Sequence, residues 1–235
     1  MYLIECYSIS YAPSLASLYW PFRHGGDGVY ESALVVGNPT GDLPFAAQEA
    51  ESVASLFKHS DLLIGDEATK ERVLGFLREN RYDVVHLSTH GQFKRELPLA
   101  SKVLLVGGEG LYAGEMMGLR LGEEVDGKWE GCELVVLSAC QTGLPPEVKE
   151  ELVLGDELQG LSQALFVAGT PSAVLTLWNV NDRSTSQLMG EMYKELMGGV
   201  PKGEALRRAQ LSLLRSTMYR HPYFWAPFVL YGVWR

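Results

Sequence analysis

The sequence predicts an α/β domain built on a mostly parallel sheet with helices on both faces. Three observations carry this prediction. Short apolar, β-branched runs alternate with amphipathic helical stretches along almost the whole chain. No repeat of 20–50 residues interrupts the pattern, which sets solenoids aside. No composition break marks a second domain within the 235 residues, a length that buries a substantial core.

The elements follow in order. Residues 32–37 read as a strand and end in the polar turn Asn38-Pro39-Thr40-Gly41-Asp42. Residues 46–57 read as a helix, with Ala50, Val53, Ala54 and Phe57 on one face. A short strand is expected over 61–65. Thr69 is placed to cap a helix over 70–80, with Val73, Phe76 and Leu77 inward. Apolar runs at 82–88 and 101–106 predict two further strands, and 107–131 is Gly-rich and poorly patterned, with one helical turn near 115–117. A buried strand is expected over 133–139, a helix over 158–167 and a strand over 172–177. Two long amphipathic helices, 184–197 and 202–215, lead to an aromatic segment, 225–234, read as an edge strand and a packed turn.

Composition narrows the function. Apolar residues make up 46% and charged residues 21%, which is ordinary for a globular protein and argues against disorder. A net charge of −9 disfavours a general binder of nucleic acid or of anionic membrane. No run approaches the roughly 20 apolar residues of a membrane span, and the first ten residues lack a secretory signal pattern. Three cysteines are too few for a disulfide framework and predict a reducing, cytoplasmic setting.

Two of the predicted strands end in reactive side chains. Val84-Val85-His86-Leu87-Ser88-Thr89-His90-Gly91 delivers a His-Gly pair, and Leu134-Val135-Val136-Leu137-Ser138-Ala139-Cys140-Gln141-Thr142-Gly143 delivers a thiol. Ligands in open α/β sheets bind beyond the carboxyl ends of strands, so parallel neighbours would bring His90 and Cys140 together. His90 would then take the thiol proton, and the amides of Gly91 and Cys140 would form an oxyanion hole. Singly, Cys140 reads as a small buried hydrophobe and His90 as an ordinary loop histidine; at matching strand ends the pair favours function. His86 and His90 do not read as a metal pair, because four residues of strand span roughly 13 Å. His86 instead reads as a packed or hydrogen-bonded strand residue.

These residues resemble a known family. The caspase pattern is Q-A-C-[RQG]-G with its histidine about 50 residues upstream; here the segment is S-A-C-Q-T-G and the spacing is 140 − 90 = 50. Ser138 in place of Gln and the extra Thr142 before Gly143 are similar to the CHAT domain family, caspase-like and separase-related peptidases of bacteria usually joined to tetratricopeptide repeats. The resemblance runs from Tyr7-Ser8-Ile9-Ser10-Tyr11 and Gly37-Asn38-Pro39 to Leu177-Trp178-Asn179-Val180-Asn181-Asp182 and His221-Pro222-Tyr223-Phe224-Trp225. It implies a caspase–hemoglobinase-like three-layer sandwich, a single peptidase domain over residues 1–235 forming the C-terminal part of a longer protein, and a His90–Cys140 dyad that needs no cofactor or metal. It also implies a protein or peptide substrate, and a gate supplied by a tetratricopeptide repeat region or an RNA-guided CRISPR effector. Separase-like relatives cleave after a basic residue, so Asp182 and Asp156 are candidates for the acidic pocket, although Asp182 reads equally well as a helix N-cap.

The charged loop 145–156 after the nucleophile reads as a segment that orders to build the substrate groove, and Lys94-Arg95 as a cleavable pair. Arg207, Arg208 and Arg215 read as an ordinary solvated helix face. The runner-up function is a catalytically silent interaction module of the same fold that binds a peptide or partner protein. An acyltransferase of the α/β-hydrolase type is disfavoured, since no nucleophile-elbow pattern is present.

Overall fold

The computed structural model describes residues 1–12, 28–94, 96–126, 128–141 and 156–235; for Lys128, Cys140, Gln141 and residues 156–159 the description is of the backbone. Arg95 and the greater part of the 145–156 loop lie outside the described residues. In chain order the strands are β1 (Ser10–Tyr11), β2 (Ser32–Gly37), β3 (His59–Ile64), β4 (Val84–Gln92), β5 (Lys102–Leu104), β6 (Gly110–Tyr112), β7 (Gly122–Val125), β8 (Lys128–Gly131), β9 (Leu134–Gln141), β10 (Ser172–Thr176) and β11 (Phe228–Gly232). The main sheet runs β1-β11-β10-β9-β4-β2-β3, with β5 and β6 added beside the end of β4. From β3 to β10 the neighbours on this path are parallel, and β11 is antiparallel to β10.

Helices α1 (Pro44–Ala54), α5 (Asp182–Met197) and α6 (Lys202–Arg215) cover one face; α2 (Lys70–Glu79) and α4 (Asp156–Val167) cover the other. This is the three-layer sandwich expected. Alternate residues of one strand serve the two layers. Val84 of β4 and Val136 of β9 pack with Val53, Leu188 and Ala209, whereas Val85, Leu87, Val135 and Leu137 pack with Val73, Leu77 and Leu161. Because both faces are buried, the strands read as continuous apolar runs rather than alternating ones. Each such Val or Leu contributes roughly 1.5–3 kcal/mol on burial, so a charge introduced at Val136 would break the sandwich between β9 and α6. Among the described residues, no helix is long and apolar enough to cross a membrane.

Local chemistry sets the element ends. The Thr69 side chain accepts from the Arg72 amide (3.3 Å) and opens α2. Pro44 occupies the first turn of α1, where no amide donor is needed. The Asn181 side chain accepts from the Ser184 amide (3.1 Å) and opens α5.

Four expectations need correction. β4 and β9 run on through His90-Gly91-Gln92 and Cys140-Gln141, so His90 and Cys140 lie within the last residues of their strands and not beyond them. The polar ends extend because each strand pairs with the other over eight positions, and Gly91 and Gln92 also pair with β5. The 107–131 stretch holds β6, the short helix α3 (Ala113–Met116) and the β7–β8 hairpin, whose Glu-rich strands carry no apolar signal. β11 is not an edge strand, because β1 pairs with it in parallel. Arg207 does not lie on a free face: its Nε and Nη2 donate to the Ile4 and Glu5 carbonyls (both 2.7 Å), holding the N-terminal segment on α6.

Candidate active site

The chain passes from β2 out to β3 and then back across to β4, so its direction reverses between β2 and β4. That crevice, at the carboxyl ends of the strands, is where an open α/β sheet receives ligands. Three segments meet there: the loop after β2, the end of β4 and the end of β9. The register pairs Ser88 with Ser138, His90 with Cys140 and Gly91 with Gln141. Positions 84, 86, 88 and 90 of β4 alternate onto the α1–α5 face, and so do 134, 136 and 138 of β9. His90 and Cys140 are therefore side-by-side neighbours on two adjacent parallel strands.

The His90 ring is mostly covered, with its side chain 12% exposed. Its Nε2 lies 2.9 Å and 3.0 Å from the two carboxylate oxygens of Asp42. Its Nδ1 is buried and has no hydrogen-bond partner among the described residues. Asp42 belongs to the turn after β2, whose backbone is tied to the histidine's own strand, since the Asn38 amide donates to the Ser88 carbonyl (2.9 Å). The Asp42 carboxyl is held below the usual carboxylate range, first by the Thr40 hydroxyl and then by His90.

Four residues upstream, His86 is fully buried with both ring nitrogens engaged. Nε2 meets Glu49 Oε1 of α1 at 2.9 Å and Nδ1 meets the Tyr193 hydroxyl of α5 at 3.1 Å. His86 is thus a packed, hydrogen-bonded strand residue, and its network joins α1 and α5 to the strand that carries His90. Among the described residues, no group of three His, Cys, Asp or Glu side chains is placed to hold a metal.

Asp182 is not the N-cap of α5; Asn181 is. Asp182 instead reaches across to the start of α1, where its Oδ2 accepts from the Phe45 amide (2.9 Å). Burial raises the Asp182 carboxyl above its usual value, the Phe45 amide opposes that shift, and the nearby Glu49 charge adds to it. Asp156 opens α4. Gly91 sits between β9 and β5, and a methyl group there would meet the Phe93 ring at 3.0 Å.

Sequence reasoning missed Asp42 and Glu49. The signal for Glu49 was present: it lies between Ala46, Ala50 and Val53 on the inward face of its helix, where an acid needs a partner. Asp42 looked like any turn residue.

The CHAT domain family profile matches residues 1–233. The chain belongs to the CHAT domain family. Tetratricopeptide repeat protein 28 of Mus musculus is 27% identical over 237 residues, covering 85% of this chain and 9% of that protein. The Homo sapiens protein of the same name is 27% identical over 275 residues, covering 98% of this chain and 11% of that protein. This CHAT chain therefore spans 9–11% of the length of those relatives. In fold, it is similar to the Arg-specific cysteine proteinase gingipain R, with a TM-score of 0.61 at 10% identity over 91% of this chain and 49% of that one. It is also similar to separase in the Saccharomyces cerevisiae separase–securin complex, with a TM-score of 0.60 at 17% identity over 96% of this chain and 14% of that one. The fold of the CHAT chain is thus caspase-like.

Proposed function

We propose that this CHAT chain is a cysteine endopeptidase in which Cys140 is the nucleophile and His90 its base. The observation that supports this most is the parallel register of β4 and β9, which pairs these two residues at the carboxyl edge of the sheet. His90 takes the thiol proton, and the thiolate attacks the substrate carbonyl carbon. The oxyanion that forms is received by the amides assigned to it, those of Gly91 and Cys140. His90 then returns the proton to the leaving amine, giving an acyl-thioester at Cys140. Water, deprotonated by the same imidazole, releases the carboxylic acid and restores the thiol.

A basic residue ahead of the cut is the preference we assign. The net charge of −9 suits a basic peptide, and gingipain R is an Arg-specific proteinase of similar fold. Asp182 and Asp156 are the carboxylates proposed to receive that residue; Asp182 does so only with the oxygen not spent on Phe45. The similarity to tetratricopeptide repeat proteins supports a gate supplied by a repeat region or another regulatory partner.

The test is cleavage of a peptide library by wild type and by Cys140→Ala, with and without candidate repeat partners. Cleavage lost in Cys140→Ala and enriched after Arg or Lys is the expected result. Cleavage that survives Cys140→Ala would overturn Cys140 as the nucleophile, and none under any condition would overturn the proposal in favour of a silent binding module.

A further inference from the structure

We infer that Asp42 is a positioning residue for His90: it holds Nε2 so that Nδ1 is the nitrogen that serves Cys140, and it steadies the imidazolium that forms. The inference rests on reading His90 and Cys140 as the reacting pair.

Asp42 meets Nε2 with both carboxylate oxygens, at 2.9 and 3.0 Å. The opposite nitrogen, Nδ1, is buried and left without a partner among the described residues, on the strand position whose register partner is Cys140. A histidine with one nitrogen occupied has its tautomer and ring orientation fixed, because the proton shared with the carboxylate stays on that nitrogen. When the S–H bond of Cys140 breaks and its proton forms the Nδ1–H bond, the electron pair stays on sulfur. The ring becomes a cation facing the Asp42 carboxylate, which remains ionised throughout.

An exposed ion pair is ordinarily worth little, and the Asp42 side chain is 63% exposed. The difference here lies in how the carboxylate is held. Asn38, in a left-handed conformation (φ 50°), donates its amide to Ser88 of β4 and receives the Gly41 amide (3.1 Å) on its carbonyl. Its side-chain oxygen receives the Leu43 amide (2.8 Å). The Thr40 hydroxyl donates to Asp42 itself. On the far side, Asp182 anchors the first turn of α1 directly after the loop. The turn therefore fixes Asp42 against the strand that carries His90, and little side-chain entropy remains to be lost on pairing. Among the described residues, the other ionisable groups around the imidazole are Asp182 from α5 and, behind it, the buried Glu49 of α1 and His86 of β4.

The test is the rate of alkylation of Cys140 by iodoacetamide in the whole chain, followed by peptide mapping so that Cys6 and Cys132 are counted separately. This readout needs no substrate. At pH 6, Asp42→Asn is expected to lower the Cys140 rate about tenfold. Asp42→Glu restores most of that rate, and all variants converge near pH 9.5, where the thiol ionises unaided. Thr40→Val, which frees the carboxylate from its hydroxyl, lowers the rate by less. Asp42→Asn reacting at the wild-type rate from pH 6 to 9.5 while His90→Ala is slow would overturn the role of Asp42 and leave the dyad standing. Wild-type rates in both variants would overturn the dyad as well.

Discussion

Replacing Glu49 with Ala removes one half of a fully buried pair beneath the site. Glu49 is 1% exposed and His86 0%, with 2.9 Å between Oε1 and Nε2. Breaking such a pair leaves the other group buried without compensation, at a cost of about 3–5 kcal/mol. The second oxygen, Oε2, has no partner among the described residues even in the intact protein, so part of that penalty is already present and the lower end, about 3 kcal/mol, is expected. For a chain of this size about 1 kcal/mol moves Tm by roughly 2–4 °C, giving a fall of roughly 6–12 °C. Glu49→Gln keeps the shape and one hydrogen bond and should cost about 1 kcal/mol. The triple variant Glu49→Leu/His86→Leu/Tyr193→Phe, which replaces the pair and the Tyr193 hydroxyl bonded to it by apolar groups, should recover most of the loss. Thermal melts and urea midpoints measure all three. A Glu49→Ala protein melting within about 2 °C of wild type would contradict this cost, as would a triple variant no more stable than Glu49→Ala.

Three further outcomes follow from the geometry. Gly169 has a φ of +99°, and a methyl group there would collide with the Gly122 carbonyl oxygen; Gly169→Ala is expected to lose about 3 kcal/mol or more in a urea titration. Asp182 titrates above its usual value because burial favours the neutral acid, so the folded state holds its proton more tightly than the unfolded chain does. Wild type should therefore gain urea stability relative to Asp182→Asn as pH falls from 7 toward 4, whereas for Asp42, held low, the same comparison with Asp42→Asn should stay level over that range and lose stability only as pH falls below the ordinary carboxyl value of 3.8. Arg207→Ala removes the donors to the Ile4 and Glu5 carbonyls and should speed hydrogen exchange across residues 1–11 while leaving β4 and β9 protected.

The sandwich was readable because burial on both sheet faces writes itself as apolar runs, and the boundaries of β2 and of α6 fall where periodicity places them. The site was readable in part. His90 and Cys140 stood out because a reactive side chain followed a buried strand twice, at matching ends. What periodicity could not supply was the continuation of those strands: Ser88-Thr89-His90-Gly91 has no strand-like apolar pattern, and pairing with β9 and β5 is what keeps it extended. The role of the Asn38–Asp42 turn was hidden for a different reason. Its residues are those of any turn, and only the strand order, which sets β2 beside β4, aims Asp42 at His90. Glu49 and His86 each looked anomalous alone, an acid on an inward helix face and a histidine in an apolar strand. Nothing in their spacing of 37 residues joined them.

His90 is proposed to make Cys140 the nucleophile of this CHAT domain. The most direct test is incubation with a panel of peptidyl acyloxymethyl ketones carrying different terminal residues, read by intact mass and peptide mapping. One adduct per chain, on Cys140 and lost in His90→Ala, is the result predicted. Labelling confined to Cys6, or equal labelling of Cys140 in wild type and His90→Ala, would contradict it.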